Sequence, residues 1–128
     1  MKIGMTSIPV NDVNKAFKFY TEILGFKKHT HMPEAFLAIV IAPDDVDGPQ
    51  LLLEPNENVN YRNLQEEMYS KKIPMLILTV KDIYKEYEIH KINGVKFIKE
   101  PTVQDWGIET IFDDTCGNHI QLMQELEK

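Results

Sequence analysis

The feature that most constrains the fold of this chain is an internal repeat. The segment "MTSIPVND", which begins at Met5, returns seventy residues later as "MLILTVKD", and the two copies align without a gap. Each copy has the apolar and β-branched residues of a strand. Each ends at an aspartate, Asp12 or Asp82, whose side chain can accept hydrogen bonds from the first amides of a helix. Such a repeat predicts that one structural unit is present twice.

The elements that follow each copy also come in the same order. Helical spacing predicts a first helix that ends at Gly25 and has one apolar stripe, formed by Val13, Ala16, Phe17, Tyr20 and Leu24. The runs "FKKHTHM", "AFLAIVIA" and "PQLLLEP" then predict three antiparallel strands. In the second half, a strand, a helix closed by "NG" and the runs "VKFIKEP", "GIETIFDD" and "NHIQLMQ" repeat this order.

These patterns predict an α+β fold of two repeated βαβββ modules in a single domain, residues 1–128. Module one covers about residues 1–56 and module two about residues 73–125. The polar segment "YRNLQEEMYSKK" predicts a connecting surface helix at about residues 60–72. The last strands of the modules match as well, since "QLLLE" at residues 50–54 aligns with "QLMQE" at residues 121–125 after a shift of one residue.

Charge and apolar content argue against several classes of function. The formal net charge of -6 is unfavourable for binding a phosphate backbone, so we expect no nucleic-acid partner. No apolar run approaches the ~18 residues of a membrane span, and the amino terminus lacks the apolar region of a signal peptide. We therefore expect a cytoplasmic protein with no membrane partner. The one cysteine, Cys116, cannot form an internal disulfide.

Several motifs together resemble one protein family. The segments "VND", "FYTEILGF", "VKD" and "DTCGNHIQL" are similar to those of the vicinal oxygen chelate superfamily. That superfamily includes glyoxalase I, bleomycin resistance proteins, fosfomycin resistance enzymes and extradiol dioxygenases. The likeness covers nearly the whole chain. It implies that the modules form a cup-shaped mixed sheet that holds a small molecule and often a divalent metal.

The resemblance also implies where a metal would be bound. By motif, the first-strand ligand positions fall at Met5 and Met75, and the last-strand position of module two falls at Gln121. The internal repeat places the fourth position at Gln50, with Leu51 as the alternative if the register slips by one residue. Thioethers and neutral amides are poor ligands for hard divalent cations, so we expect no bound metal and no other cofactor.

Each of these positions has two interpretations. Met5 and Met75 are either the adaptable wall of a ligand cavity or ordinary core residues. Gln50 and Gln121 either offer their amides to a ligand or bond to each other and to backbone groups. The first interpretation predicts a ligand cavity between the two sheets.

Other candidate residues also have more than one interpretation. His119 stands two positions before Gln121 and shares its face, so it is either a general acid or base or a neutral core histidine. Trp106 either lies near the mouth of the cavity or packs at a strand edge. His29 and His31 should share a strand face but have no third metal ligand, which favours a solvated surface.

The function predicted from these residues is that of a glyoxalase-like and bleomycin-resistance-like protein. It binds a small, partly aromatic or amphiphilic molecule in the cup without a metal. The ligand-binding residues would be Met5, Gln50, Met75, Trp106, His119 and Gln121. Two alternatives stay open, a lyase or dioxygenase-type enzyme and a non-catalytic structural domain. Besides the small molecule we expect a second copy of the chain as partner, because cups of this kind are commonly shared between modules or between chains.

Overall fold

The computed structural model describes residues 1–127 and has the α+β architecture that the repeat predicts. Its helices are α1 (Val13–Lys18), α2 (Val59–Ser70) and α3 (Ile83–Ile92), and a short 3-10 helix covers Pro33–Ala35. Its strands are β1 (Met5–Val10), β2 (Lys27–Met32), β3 (Leu37–Ile41), β4 (Gln50–Pro55), β5 (Leu76–Thr79), β6 (Lys96–Phe97), β7 (Thr102–Gln104), β8 (Gly107–Asp113) and β9 (His119–Glu125). The two βαβββ modules and the connecting surface helix α2 are confirmed.

The first helix begins and ends as the sequence predicts, with one irregularity. The Asp12 side chain accepts a hydrogen bond of 3.0 Å from the amide of Lys15, and Gly25 ends the segment with a φ of +85°. Between these points α1 changes at Phe19 into a π-helical turn that runs to Ile23. The predicted apolar stripe is therefore carried by two consecutive helical segments rather than by one regular helix.

Module one forms a four-stranded sheet in the order β1-β4-β3-β2. Strands β1 and β4 are parallel, and the other neighbours are antiparallel. Alternate residues such as Ile8, Val40 and Leu53 are buried beneath α1. The opposite face of this sheet carries no helix of its own module.

Module two repeats this arrangement in the order β5-β9-β8-β6, with the additional strand β7 paired to β8. The Asp82 side chain caps α3 by accepting from the amide of Lys85, and Gly94 follows the helix with a φ of +91°. The predicted strand "VKFIKEP" is shorter than expected, since β6 has two residues. After Phe97 the chain bends at Ile98 and Lys99, and it then resumes pairing with β8 in the same direction as β7.

The two modules share one hydrophobic core. Phe19 at the end of α1 lies 6.3 Å from Phe112 of β8 between ring centroids, and both belong to a single buried cluster that also includes Ile8, Ile83 and Ile120. The module boundaries taken from the repeat stay a prediction, because this shared core crosses them.

A buried hydrogen-bonded cluster also joins the modules. Asp114, in the turn between β8 and β9, is fully buried, and its carboxylate accepts hydrogen bonds from the Tyr20 hydroxyl at 2.9 Å and from Asn118 Nδ2 at 2.8 Å. Asn118 Nδ2 also donates to the Pro9 carbonyl of β1 at 2.8 Å. Burial raises the pKa of Asp114, and burial together with the neighbouring carboxylate raises the pKa of Tyr20 well above its ordinary value.

The connecting helix α2 is attached to the same cluster through Gln65. Gln65 is 2% exposed, and its Nε2 donates to the Pro9 carbonyl at 3.0 Å and is 3.3 Å from Asn118 Oδ1. The residue that α2 buries is thus an amide and not Leu64, which is 49% exposed. Below it, Gly117 has a φ of +99°, and a Cβ placed there would lie 2.6 Å from Gln65 Nε2.

Replacing Asn118 by Ala should destabilise the chain strongly. The change removes both hydrogen bonds that Asn118 Nδ2 donates, so the Pro9 carbonyl and Asp114 Oδ2 each lose one of their two donors in a buried site. We expect a loss of about 2–3 kcal/mol in the free energy of unfolding, measured by urea titration. Asn63→Ala, at an exposed position of α2, is the control and should change it by less than about 0.5 kcal/mol. A loss below about 1 kcal/mol in Asn118→Ala would contradict a structural role for the cluster.

Candidate functional site

The open face of the first sheet carries two of the predicted ligand-binding residues. Met5 and Gln50 are register partners on β1 and β4, so they lie side by side. Met5 is 46% exposed, and Gln50 is half-buried. Leu51 is 5% exposed and belongs to the core, which identifies Gln50 as the residue that faces outward. Half-buried Leu37, Ile39 and Leu52 make the rest of this face apolar.

The open face of the second sheet carries three more. The Met75 amide donates to the His119 carbonyl at 2.9 Å, and Gln121 is the register partner of Ile77. Gln121 also lies opposite Ile111 of β8. His119 and Gln121 are therefore on one face, as strand alternation predicts. Met75 lies beside them, and its half-buried side chain also packs against the hydrophobic core.

His119 is nearly enclosed by the chain itself. It is 5% exposed, and its ring stacks on Tyr69 of α2 at 4.3 Å between centroids and 9° between planes. The Tyr69 hydroxyl donates to Asp113, and this hydrogen bond, with partial burial, raises the pKa of Tyr69. His119 Nδ1 is buried and has no hydrogen-bond partner within residues 1–127. The imidazole is thus covered in this conformation and is not poised to accept a proton from a ligand.

Trp106 is far from His119 along the same sheet. It lies in the turn between β7 and β8, beyond Gly107, whose register partner is Glu125 at the other end of β9. The indole is 49% exposed. Six residue steps at about 3.3 Å per residue put the ends of β9 roughly 20 Å apart. Trp106 and His119 therefore lie at opposite ends of the second sheet.

The sequence reasoning missed Glu109, a buried carboxylate on this face. Glu109 of β8 lies opposite Met123 and is 5% exposed. Its Oε1 is paired with the ammonium of Lys99, while Oε2 is buried and has no hydrogen-bond partner in the part of the chain that the structure describes. The signal was present, since alternation along "GIETIFD" places Glu109 on the face that Ile111 shares with Gln121.

The two open faces belong to separate sheets. Strand β1 ends the first sheet and β5 ends the second, and no strand among residues 1–127 pairs with the free edge of either. Beside the β5 edge lies a cleft of about 700 Å³ between the modules, lined in part by Phe26, Asp44, Ile77, Thr79 and His90. None of the six predicted ligand-binding residues lines it. Within one chain, the predicted residues thus form two half-sites.

The residues at the expected metal positions do not fit a divalent ion. They supply two thioethers and two neutral amides, and they are divided between the two sheets. Elsewhere in residues 1–127, no group of three or more His, Cys, Asp and Glu side chains is arranged to hold a metal ion. The absence of a bound metal in the protein itself stays a prediction.

The histidines of β2 have different surroundings, so the expected solvated position is correct for His29 only. A register shift between Lys28 and Thr30 interrupts the strand at His29. This histidine is exposed, and its Nδ1 lies 2.8 Å from Thr30 Oγ1. His31 instead stacks on Phe17 at 3.8 Å and bonds to Asn14 on the helical side. The bulge adds one residue and so breaks the alternation on which the expectation depended.

Comparison with known proteins settles the family. A family model described as the Glyoxalase/Bleomycin resistance protein/Dioxygenase superfamily matches residues 2–122. The chain belongs to this superfamily. This superfamily member is 44% identical to the uncharacterised protein YurT of Bacillus subtilis (strain 168) over 98% of its own length and 100% of YurT. The resemblance inferred from the motifs is therefore confirmed.

Two solved structures have the same fold as this chain. The crystal structure of UcmS2 matches it with a TM-score of 0.80 and 26% identity, covering 96% of this chain and 97% of UcmS2. TnmS3, described as an antibiotic binding protein from Streptomyces sp. CB03234, matches with a TM-score of 0.74 and 23% identity, covering 98% of this chain and 97% of TnmS3. Separately, none of the helices within residues 1–127 has the length and apolar character needed to cross a membrane.

Cys116 should be unreactive while the protein is folded. Its side chain is fully buried, and burial together with the charge of Asp114 raises the thiol pKa to about 12. The thiolate is the reactive form, so alkylation by iodoacetamide at pH 8 should be at least about 100-fold slower than in 6 M guanidinium. Mass spectrometry of timed samples measures both rates. Labelling of the folded protein at a rate close to that of the denatured chain would show that the thiol is accessible.

Proposed function

We propose that this protein binds a small, partly aromatic or amphiphilic molecule in a cup that two copies of the chain complete, without a metal. The observation that carries the proposal is the pair of open faces. Each leaves apolar side chains half-exposed and includes one of the two repeated glutamines, Gln50 and Gln121. Small-molecule sites combine mostly apolar walls with a few polar groups in this way.

A second copy would bring the half-sites together. Strand β1 carries Met5 at the free edge of one sheet, and β5 follows Met75 at the free edge of the other. A free strand edge has unpaired amides and carbonyls and readily pairs with another strand. If β1 of one copy lies beside β5 of the other, Met5 and Gln50 of the first face the same space as Met75 and Gln121 of the second. A strand added there would also cover Ile77 and Thr79, which line the cleft.

Binding accounts for the site residues better than catalysis does. The metal positions hold groups that bind hard cations poorly, so the Lewis-acid chemistry associated with the superfamily has no ligand set here. The one candidate base, His119, is packed against Tyr69. TnmS3 shows by its likeness only the shared fold, yet its description as an antibiotic binding protein is consistent with a drug-sized ligand for this fold.

Dimer formation should depend on the β5 edge. Ile77 is 57% exposed on that edge, and Ile77→Lys places a charge where the second copy would pack. We expect sedimentation velocity at micromolar concentration to find a dimer for the wild type and a shift of at least about tenfold in the dissociation constant for the variant. Ile92→Lys, at an 82% exposed position at the end of α3, is the matched control and should stay dimeric. A wild type that sediments as a monomer would refute the shared cup.

Ligand binding should depend on Gln121. In a thermal-shift screen of small aromatic and cationic compounds, we expect hits whose stabilisation of the wild type is mostly lost in Gln121→Leu. A ligand at about 100 times its dissociation constant stabilises by about 2.7 kcal/mol, so the loss is measurable. The unliganded variant should unfold within a few degrees of the wild type, because Gln121 lies on the open face. His29→Ala serves as the control on the first sheet; hits that vanish there but survive Gln121→Leu would place the site elsewhere.

A further inference from the structure

We propose that Glu109 anchors the ligand of the cup and that this ligand carries a protonated amine on an apolar frame. The inference rests on the function proposed above and adds the class of ligand and the residue that selects it. Neither the superfamily motifs nor the repeat points to Glu109.

Glu109 faces the cup and not the helices. Its neighbours Ile108 and Thr110 lie opposite Gln124 and Leu122, with Leu122 in the hydrophobic core. Glu109 itself lies opposite Met123, two residues beyond Gln121 on the same face. Diagonal neighbours of this kind are about 7–8 Å apart, so one small molecule can contact both side chains.

The carboxylate of Glu109 is buried and only half satisfied. Oε1 binds the Lys99 ammonium, whose side chain is 35% exposed, and Oε2 has no partner among residues 1–127 although it is out of contact with solvent. A buried acceptor without a donor is costly, and such atoms mark sites where an external donor completes the bonding. The backbone of Lys99 is held beside β8, since its carbonyl accepts a hydrogen bond of 2.7 Å from the Thr110 hydroxyl. The Glu109 carboxylate therefore has one buried oxygen that an external donor could satisfy.

The charges around Glu109 favour a cation as that donor. The carboxylate already holds one nitrogen cation, that of Lys99, and its second oxygen offers the same chemistry. Glu54 lies on the open face of the other sheet, as the register partner of Pro9, and adds a second carboxylate to the completed cup. The net charge of -6 also attracts a cationic ligand over longer distances. Gln121 and the apolar side chains of the face would then contact the apolar part of the ligand.

Three probes of nearly equal size separate charge from shape: 2-(1-naphthyl)ethylamine, 2-(1-naphthyl)ethanol and 1-naphthylacetic acid. Calorimetric titration at pH 7 and low salt should find that the wild type binds the amine at least about tenfold more tightly than the alcohol, and the acid most weakly. Glu109→Gln keeps the shape and removes the charge, so the amine should lose about tenfold in affinity while the alcohol changes by less than about twofold.

Lys99→Met tests whether the ion pair is purely structural, because a structural pair would not increase the affinity for the amine when it is removed. Removing the competing ammonium leaves the whole carboxylate to the ligand, so the amine should bind at least about threefold more tightly, with the alcohol unchanged. Thermal unfolding of both variants checks that they are folded. Weaker amine binding in Lys99→Met, or equal losses for amine and alcohol in Glu109→Gln, would mean that the pair is structural and would overturn the proposal.

The remaining outcomes separate this proposal from the proposed function. If the amine binds, keeps its affinity in Glu109→Gln and loses it in Gln121→Leu, the ligand lies in the cup but Glu109 does not anchor it. If the wild type binds the alcohol and not the amine, the ligand class is wrong, and dependence of the alcohol on Gln121 would still support the cup. If neither substitution changes the binding of any probe, both proposals fail.

Discussion

The structure depends first on one buried carboxylate. Asp114 lies in the turn before β9, and its hydrogen bonds, with those of Asn118, reach Tyr20 in the π-helical turn after α1 and Pro9 near the end of β1. The hydrophobic core that the modules share is not directional, whereas hydrogen bonds fix distances and angles. Since β1 carries Met5 and β9 begins at His119, the cluster sets how the two half-sites are oriented. A stability element and the geometry of the candidate site are thus the same feature.

Much of the fold could be predicted because its signals are local. The aspartate caps, Gly25 and the apolar stripe each lie within one short segment. The structure contains the caps and the glycine, and it carries the stripe on α1 and the π-helical turn after it. The central cluster could not be predicted in the same way. Its partners Pro9 and Asn118 are separated by 109 positions, and "DTCGN" has the composition of an ordinary turn. Hydrogen bonds between distant segments leave no periodic pattern in a single sequence.

The candidate site could be predicted only in part, because only its local signals appear in the sequence. Alternation placed His119 and Gln121 on one face, and burial then distinguished Gln50 from Leu51. Alternation failed at His29, where a bulge changes the register. It was not applied to Glu109, which lies on a strand that the family resemblance does not connect with binding. The two copies of the module have also diverged, since the open face of the first is mainly apolar while that of the second carries Glu109, Asp113 and His119. A completed cup would have apolar side chains on both walls and more of its acidic groups on the second wall.

Gly117 shows how tightly the junction restricts sequence change. Any side chain at this position would meet Gln65 Nε2 and would also have to adopt a left-handed backbone conformation. Shortening residue 65 would relieve the collision, but it would remove the donor to the Pro9 carbonyl and the acceptor for Asn56. A substitution at either position alone therefore lowers the stability of the fold, and only simultaneous changes at both positions can preserve it. Residues 65 and 117 therefore constrain each other. The junction between the duplicated halves stays the same, while the open faces that it orients are free to change and to bind new ligands.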